Sequence, residues 1–378
     1  MTLLPAPSPP SLPPDLRGRF ENVEWTPLAV ERLAREMPKA ETHLHLDGAL
    51  SPELVQRLAR EQGHEPLAGL PLAEIRRRVV VDAPRESLAA VLAVFGAVLP
   101  LLRDPAALGT VAYELVAAAS RQGTRHVEVR FAPALQAAPG FDQEAVLDAA
   151  LEGLAAGRAA FGVGTSVIVC LIRPPSLVDL DTNRRMVELA IAGRACGVVG
   201  IDLAGDEAAA PLAAYAELFR RAREGGLALS AHAGEAPGSG DLETALALGV
   251  DRLGHATLLG KRPELLAEVV RRRIPIEVNL TSNLRTGAAP SLAAHPVRSW
   301  FDAGVPIALS TDDPGLFAID LPGEYLLLHR ELGFTPAELA TVALQGFDAL
   351  FLPPAEKARL RAGAERDLGR LLDELAAR

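Results

Sequence analysis

The sequence predicts an α/β protein, a (β/α)8 TIM barrel with a helical insertion after the first strand and extra helices at its C-terminal end. Three observations predict it. From residue 38 onward, short segments rich in Val, Ile and Leu alternate with long Ala/Leu/Arg/Glu segments of helical period. That is the pattern of buried parallel strands with crossover helices. The strand-like segments number eight, the count that closes a barrel. Residues of reactive type also recur where these segments end, and in an α/β barrel those ends share one face.

The expected strands are 40–46, 125–131, 166–172, 198–204, 227–233, 251–255, 274–280 and 305–311. One interval is oversized. Residues 50–124 read as several helices, including 86–102 and 105–122, and form the expected cap over the barrel mouth. Residues 335–378 read as two or three amphipathic helices, with Pro353-Pro354 as a start signal for one of them. Six prolines fall within residues 5–14, so residues 1–20 are expected to be a flexible or extended arm. Residues 21–378 are then one barrel domain, a length that α/β barrels reach without dividing.

Composition narrows the function. A chain of 378 residues that is 49% hydrophobic can bury a large core. Its net charge of −10 offers no basic field to nucleic-acid phosphates. The short runs Arg76–Arg78 and Arg271–Arg273 read as solvated helix faces. Cys170 and Cys196 lie in apolar segments and are expected to be buried, reduced thiols. No apolar run approaches the roughly 20 residues that cross a bilayer, and the N-terminal stretch lacks a basic start followed by an apolar core. The cytoplasm is the expected location and a small molecule the expected partner. A homo-oligomer is left open.

The segment T-H-L-H-L-D-G, residues 42–48, carries the strongest chemical signal. His43 and His45 are two apart on a strand, so their side chains share a face and can reach one metal ion. Glu128 and Arg130 lie on the second strand, and Asp202, Gly205, Asp206 and Glu207 end or follow the fourth. His232 and Glu235 close the fifth, His255 the sixth, and Asp312-Asp313 the eighth, while Asn279, Ser282 and Asn283 follow the seventh. His43, His45, His232 and Asp312 make an N/O ligand set suited to zinc with a position left for water. Metal coordination brings the pKa of water from 15.7 to about 7. Glu235, on a loop turned by Gly234, can donate a proton to a ring nitrogen, and His255 can orient hydroxide or take a proton. Adjacent Asp312 and Asp313 repel unless a cation sits between their demands, which favours one on metal and the other on substrate. Gly205 lets backbone approach a flat ligand. His64, His126, His295 and His329 are expected to be structural.

On these residues the chain resembles the adenosine deaminase family of metal-dependent amidohydrolases. The motifs are P-K-A-E-T-H-L-H-L-D-G (38–48), V-E-V-R-F-A-P (127–133), I-D-L-A-G-D-E (201–207), H-A-G-E (232–235), L-G-H-A (253–256), T-S-N (281–283) and S-T-D-D-P (310–314). The resemblance implies one zinc ion per chain and hydrolytic deamination of a 6-aminopurine nucleoside, adenosine or 2′-deoxyadenosine. By motif match His43, His45, His232 and Asp312 hold zinc, Glu235 protonates purine N1, and His255 is general base and hydroxide orienter. Asp313 would bond N7 and the Gly205 backbone N3. Asp47 would meet the ribose 5′ region, where relatives acting on free adenine usually carry glutamate.

Two segments depart from the family pattern: Asn279-Leu280 stands where many relatives have Cys-Pro, and Gln345-Gly346…Leu350-Phe351 replaces the usual Asn-Ala…Ser-Phe. Neither touches an expected ligand, but both bear on the substrate, and 6-amino-6-deoxyfutalosine of menaquinone synthesis is the alternative, with adenine as a second. A two-metal amidohydrolase would need a lysine where I-D-L-A-G-D-E has none, and two distant cysteines cannot build the cytidine-type zinc site. A purine-binding barrel without catalysis would lack a reactive group, and none of the expected groups is missing.

Overall fold

The computed structural model describes residues 12–174, 178–236, 238 and 240–377. Its sheet is built from β1 (Lys39–His45), β2 (Thr124–Phe131), β3 (Gly164–Ile172), β4 (Val198–Ala204), β5 (Ala228–Ala233), β6 (Arg252–His255), β7 (Ile276–Val278) and β8 (Ile307–Leu309). The strands lie side by side in chain order, every neighbouring pair parallel. A bridge between Leu44 and Asp312 closes the turn. There the His45 N–H donates to Asp312 O (2.8 Å) and the Asp312 N–H to His43 O (3.0 Å). The strands match the eight expected segments closely, because runs such as Val167–Ile172 are buried on both faces.

The excursion between β1 and β2 is helical, as expected, but more broken. In place of one helix over 86–102 stand Leu88–Leu92, Phe95–Val98 and a 3-10 turn, Leu99–Leu102, before the long helix Pro105–Arg121. Gly96 weakens the helix there and Pro100 lacks the N–H that would continue it. At the other end Pro336–Ala349 and Pro354–Ala376 are the expected C-terminal helices. The first begins in a capping box of Thr335 and Glu338.

Two expectations are corrected. Residues 1–11 of the proline-rich arm lie outside the described residues, but its second half is not extended: Pro14–Glu21 is a helix that buries Leu16 and Phe20. Pro14 stands in its first turn, where a missing N–H costs nothing. Arg19 Nη1 donates to Gly369 O of the last helix, docking the segment. Cys170 is buried as expected, whereas Cys196 ends a surface turn and is exposed; both thiols are free. No single helix among the described residues is long and apolar enough to cross a membrane.

Candidate metal centre and active site

The C-terminal strand ends converge on a cavity of about 640 Å³, lined by His45, Asp47, Gly205, His232, Glu235, His255, Asp312 and Asp313. His43 lies just beneath it, fully buried. Every sequence-predicted site residue is therefore in one place.

Donor atoms crowd at its floor. His43 Nε2 and His45 Nε2 approach the same oxygen, Asp312 Oδ1, at 3.1 and 3.3 Å. The His232 ring stands 4.7 Å from that of His43 and 5.4 Å from that of His45, centre to centre. His43, His232, His255 and Asp312 each bring a donor atom within 4.8 Å of the others, so a buried His/His/His/Asp group is present. The sequence-predicted ligand His45 is not in that tightest foursome; His255 stands in its place, and His45 joins from the cavity side. His43 Nε2 is buried without a hydrogen-bond partner among the described residues, which a metal ion would remedy. Burial, against the pull of Asp312, pushes the His45 imidazole down to about 3, which leaves its lone pair free.

The backbone is strained here. His255 (φ 59°) and Asp312 (φ 66°) both adopt the left-handed conformation that side chains other than glycine avoid. These turns swing both side chains off their strand ends into the cavity. Strain of this kind persists only where surrounding contacts hold it.

Beneath the donors lies a layer that no sequence motif assembles. Glu277 Oε2 is 2.8 Å from His43 Nδ1, and Asp202 Oδ2 is 2.8 Å from His232 Nδ1. The Glu277 carboxylate bonds the His43 imidazole and leaves its Nε2 facing the site, a common support for metal-binding histidines. Arg130 joins the two, with Nη1 donating to Asp202 (2.9 Å) and Nη2 to Glu277 (2.8 Å). Arg252 adds a bond from Nε to Glu277 and another from Nη1 to Glu128, both 2.6 Å. Burial opposes ionisation of Glu277, yet Arg130 and Arg252 hold it well below the usual carboxylate range. Glu277 is absent from the sequence-predicted site; its only signal is a lone acid inside the apolar run of β7.

Around the cavity the acids diverge. Burial, then Asp312 and Glu207, pushes Glu235 up to about 8, so it carries a proton near neutrality. Its Oε2 is 3.9 Å from His255 Nε2. Glu207 fixes the segment bearing it: one carboxylate accepts from the N–H groups of Gly234 (2.8 Å), Glu235 (2.7 Å) and Ala236 (2.7 Å). Asp312 is held well below the carboxylate range by His43, His255 and His45 despite burial, and Ser282 Oγ donates to its Oδ2 at 2.7 Å. Burial and the neighbouring Asp312, Asp47 and Glu235 raise Asp313 well above that range. Gly48 makes room for it: a Cβ there would fall 1.7 Å from Asp313 Oδ1. Asp47 accepts from Gln136 Nε2 (3.2 Å), and burial lifts it to about 6. Gly205 (φ 97°) turns the backbone at the end of β4.

Of the histidines expected to be structural, His126 meets Ser166 Oγ (2.9 Å) at the far end of the barrel and His329 Nδ1 meets Phe334 O (2.7 Å). His295 is different: it is buried and bonded to Asn283, which in turn bonds His255.

Comparison with known proteins agrees with this geometry. The family model for adenosine deaminase matches residues 38–366. The adenosine deaminase of Lacticaseibacillus paracasei is 34% identical over 334 residues, covering 88% of this chain and 96% of the relative. An amidohydrolase from Burkholderia ambifaria, solved with bound zinc, superposes with a TM-score of 0.83 at 28% identity over 98% of this chain and 99% of that one. The adenine deaminase of Arthrobacter aurescens gives 0.79 at 27% identity, over 87% and 98% of the two chains. The N6-methyl-AMP deaminase of Arabidopsis thaliana gives 0.77 at 25%, over 89% and 98%. The relatives that are named by substrate differ in the aminopurine named, while the superpositions extend over 87–98% of this chain. The chain belongs to the adenosine deaminase family, as an aminohydrolase with a buried His/His/His/Asp metal site.

Proposed function

We propose that the protein hydrolytically deaminates a 6-aminopurine nucleoside, adenosine or 2′-deoxyadenosine, to the 6-oxo nucleoside and ammonia, with one zinc ion held by His43, His45, His232 and Asp312. The carrying observation is the convergence of His43 Nε2 and His45 Nε2 on one oxygen of Asp312, with Glu235 and His255 facing each other 3.9 Å apart at the same cavity. The donor set fits the ion: three imidazoles and a carboxylate, with the buried Nε2 of His43 left without a hydrogen-bond partner among the described residues. Zinc bound there supplies Lewis acidity and lowers the pKa of water at the site.

The protein's own groups do the rest. Glu235, as the acid, gives its proton to purine N1, so that charge gathers on the ring as C6 is attacked. His255 aligns the attacking water, one of whose protons replaces the one that Glu235 gave while the other leaves with the 6-amino group as ammonia. Asp313 and the Gly205 backbone hold the purine by N7 and N3, and Asp47 meets the ribose 5′ region. Burial of Glu235, His255, Asp312 and Asp313 strengthens each of these interactions.

A second reading has its own support. The cavity of about 640 Å³ is also lined by Leu88, Leu92, Phe95, Leu99 and Arg103. That room suits a nucleoside enlarged at its 5′ end, such as 6-amino-6-deoxyfutalosine. Steady-state ammonia release from adenosine, 2′-deoxyadenosine, adenine and 6-amino-6-deoxyfutalosine, ranked by kcat/KM, tests both. Adenosine or its 2′-deoxy form leads under the first reading and 6-amino-6-deoxyfutalosine under the second. Adenine ahead of all would remove the role given to Asp47, and no turnover of any would remove the proposal.

A further inference from the structure

A chain of hydrogen bonds runs from the main chain to His255 through two residues with no other assigned part. The Val297 N–H donates to His295 Nδ1 (3.2 Å). His295 Nε2 meets Asn283 Oδ1 (3.0 Å), and Asn283 Nδ2 meets His255 Nδ1 (2.9 Å). All three side chains are buried.

The direction of every link is set by the first. A backbone N–H can only donate, so His295 Nδ1 accepts and its proton sits on Nε2. Burial pushes His295 down to about 4, so the ring is neutral and holds one proton. Nε2–H then donates to Asn283 Oδ1, which fixes the amide orientation and aims its NH2 at His255. His255 Nδ1 must accept in turn. A proton on that nitrogen would face the amide N–H, so His255 keeps its only proton on Nε2. That nitrogen points into the site, 3.9 Å from both Glu235 Oε2 and Asp312 Oδ2.

We infer that His295 and Asn283 are positioning residues that lock His255 as an Nε2–H donor. The consequence separates two geometrically similar kinds of imidazole. His255 presents a hydrogen to the site and cannot present a lone pair, so it binds water as a donor, not as the general base expected from the resemblance, and leaves metal ligation to His43, His45 and His232. His43 carries the opposite polarity: its Nδ1 bonds the carboxylate of Glu277, which accepts, leaving the Nε2 lone pair inward. Donor or acceptor behind each of these rings thus decides its role in front.

The relay rests on the deaminase site proposed above, but its first test does not depend on turnover. With 15N-labelled histidine in the zinc-loaded enzyme, His255 is expected to show a protonated Nε2 and an unprotonated Nδ1. In Asn283→Asp both side-chain oxygens accept, so the proton moves to Nδ1. That variant should keep one zinc per chain and lose about 10²-fold in kcat, with KM changing little, the scale for one catalytic proton or donor group. His295→Leu breaks the relay further out and should lose about 10-fold. His295→Gln offers an acceptor and a donor in the same order, and should recover most of that loss. An Nδ1-protonated His255 in the wild type, or kcat in Asn283→Asp within about 3-fold of wild type, against the ~10²-fold expected, overturns the relay. Wild-type enzyme inactive on every aminopurine but with Nε2-protonated His255 would instead defeat the proposed reaction and leave the relay standing.

Discussion

Glu235 and Asp313 are both buried acids whose protons are held more tightly than usual, and each owes its position to a neighbour that leaves no slack. Replacing Glu235 by Gln keeps shape and removes the acid. The expected result is a kcat reduced by about 10²–10⁴-fold with zinc stoichiometry and melting temperature unchanged, checked by ammonia release and metal analysis. Gly48→Ala acts on Asp313 through space alone, since the new methyl would occupy the place of its Oδ1. Displacing one buried substrate contact costs about 1–3 kcal/mol, so kcat/KM should fall about 10–100-fold while zinc stays bound. At this scale the sequence is informative wherever roles sit in contiguous motifs. His43, His45, His232, Glu235, Asp312 and Asp313 all reach the site as expected. Partnerships across the chain are not legible: Glu277 reaches His43 over 234 positions, and no local pattern announces that pairing.

At the scale of elements, the strands β2, β4 and β7 contribute one buried ionic layer under the metal-binding histidines. Arg130 is its centre, bonding both Asp202 and Glu277. Replacing Arg130 by Met leaves two buried carboxylates without their shared cation. Breaking a buried pair from one side costs about 3–5 kcal/mol. The variant should therefore unfold at markedly lower denaturant concentration and bind zinc more weakly, read by urea titration and chelator competition. A Met variant as stable as wild type would show that Arg130 is not needed to balance those acids. The strands themselves are legible because parallel strands buried on both faces read as apolar runs. The helix Pro14–Glu21 is not, because proline density upstream hides the Leu16/Phe20 spacing that docks it. Nor is the break-up of 86–102, whose Gly96 and Pro100 are helix interruptions inside an otherwise helical pattern.

For the molecule as a whole, buried acids couple stability to pH. Glu324 accepts from Thr281 N–H (3.1 Å) on the segment after β7, away from the metal-binding groups, and burial raises it from 4.5 to about 7. The folded state thus holds its proton more tightly than the unfolded chain. Its contribution is full below about pH 4.5 and is lost as pH rises through about 7, at most ~3 kcal/mol. Unfolding free energies at pH 5 and pH 8 should differ less in Glu324→Gln than in wild type. An unchanged difference would assign the pH dependence to other groups. The barrel, its insertion and its C-terminal helices are all legible at this scale because the βα alternation spans the chain. The order of donors and acceptors behind the histidines emerges only once distant segments are packed together.

The proposed chemistry requires one zinc ion gripped by residues from β1, from β5 and from the end of β8. An anomalous-difference map at the zinc edge, from crystals of the zinc-loaded protein, tests this most directly. One peak per chain is expected, about 2.0–2.1 Å from the Nε2 atoms of His43, His45 and His232 and in contact with Asp312. A peak elsewhere, a pair of peaks, or a peak ligated by His255 in place of His45 would contradict it.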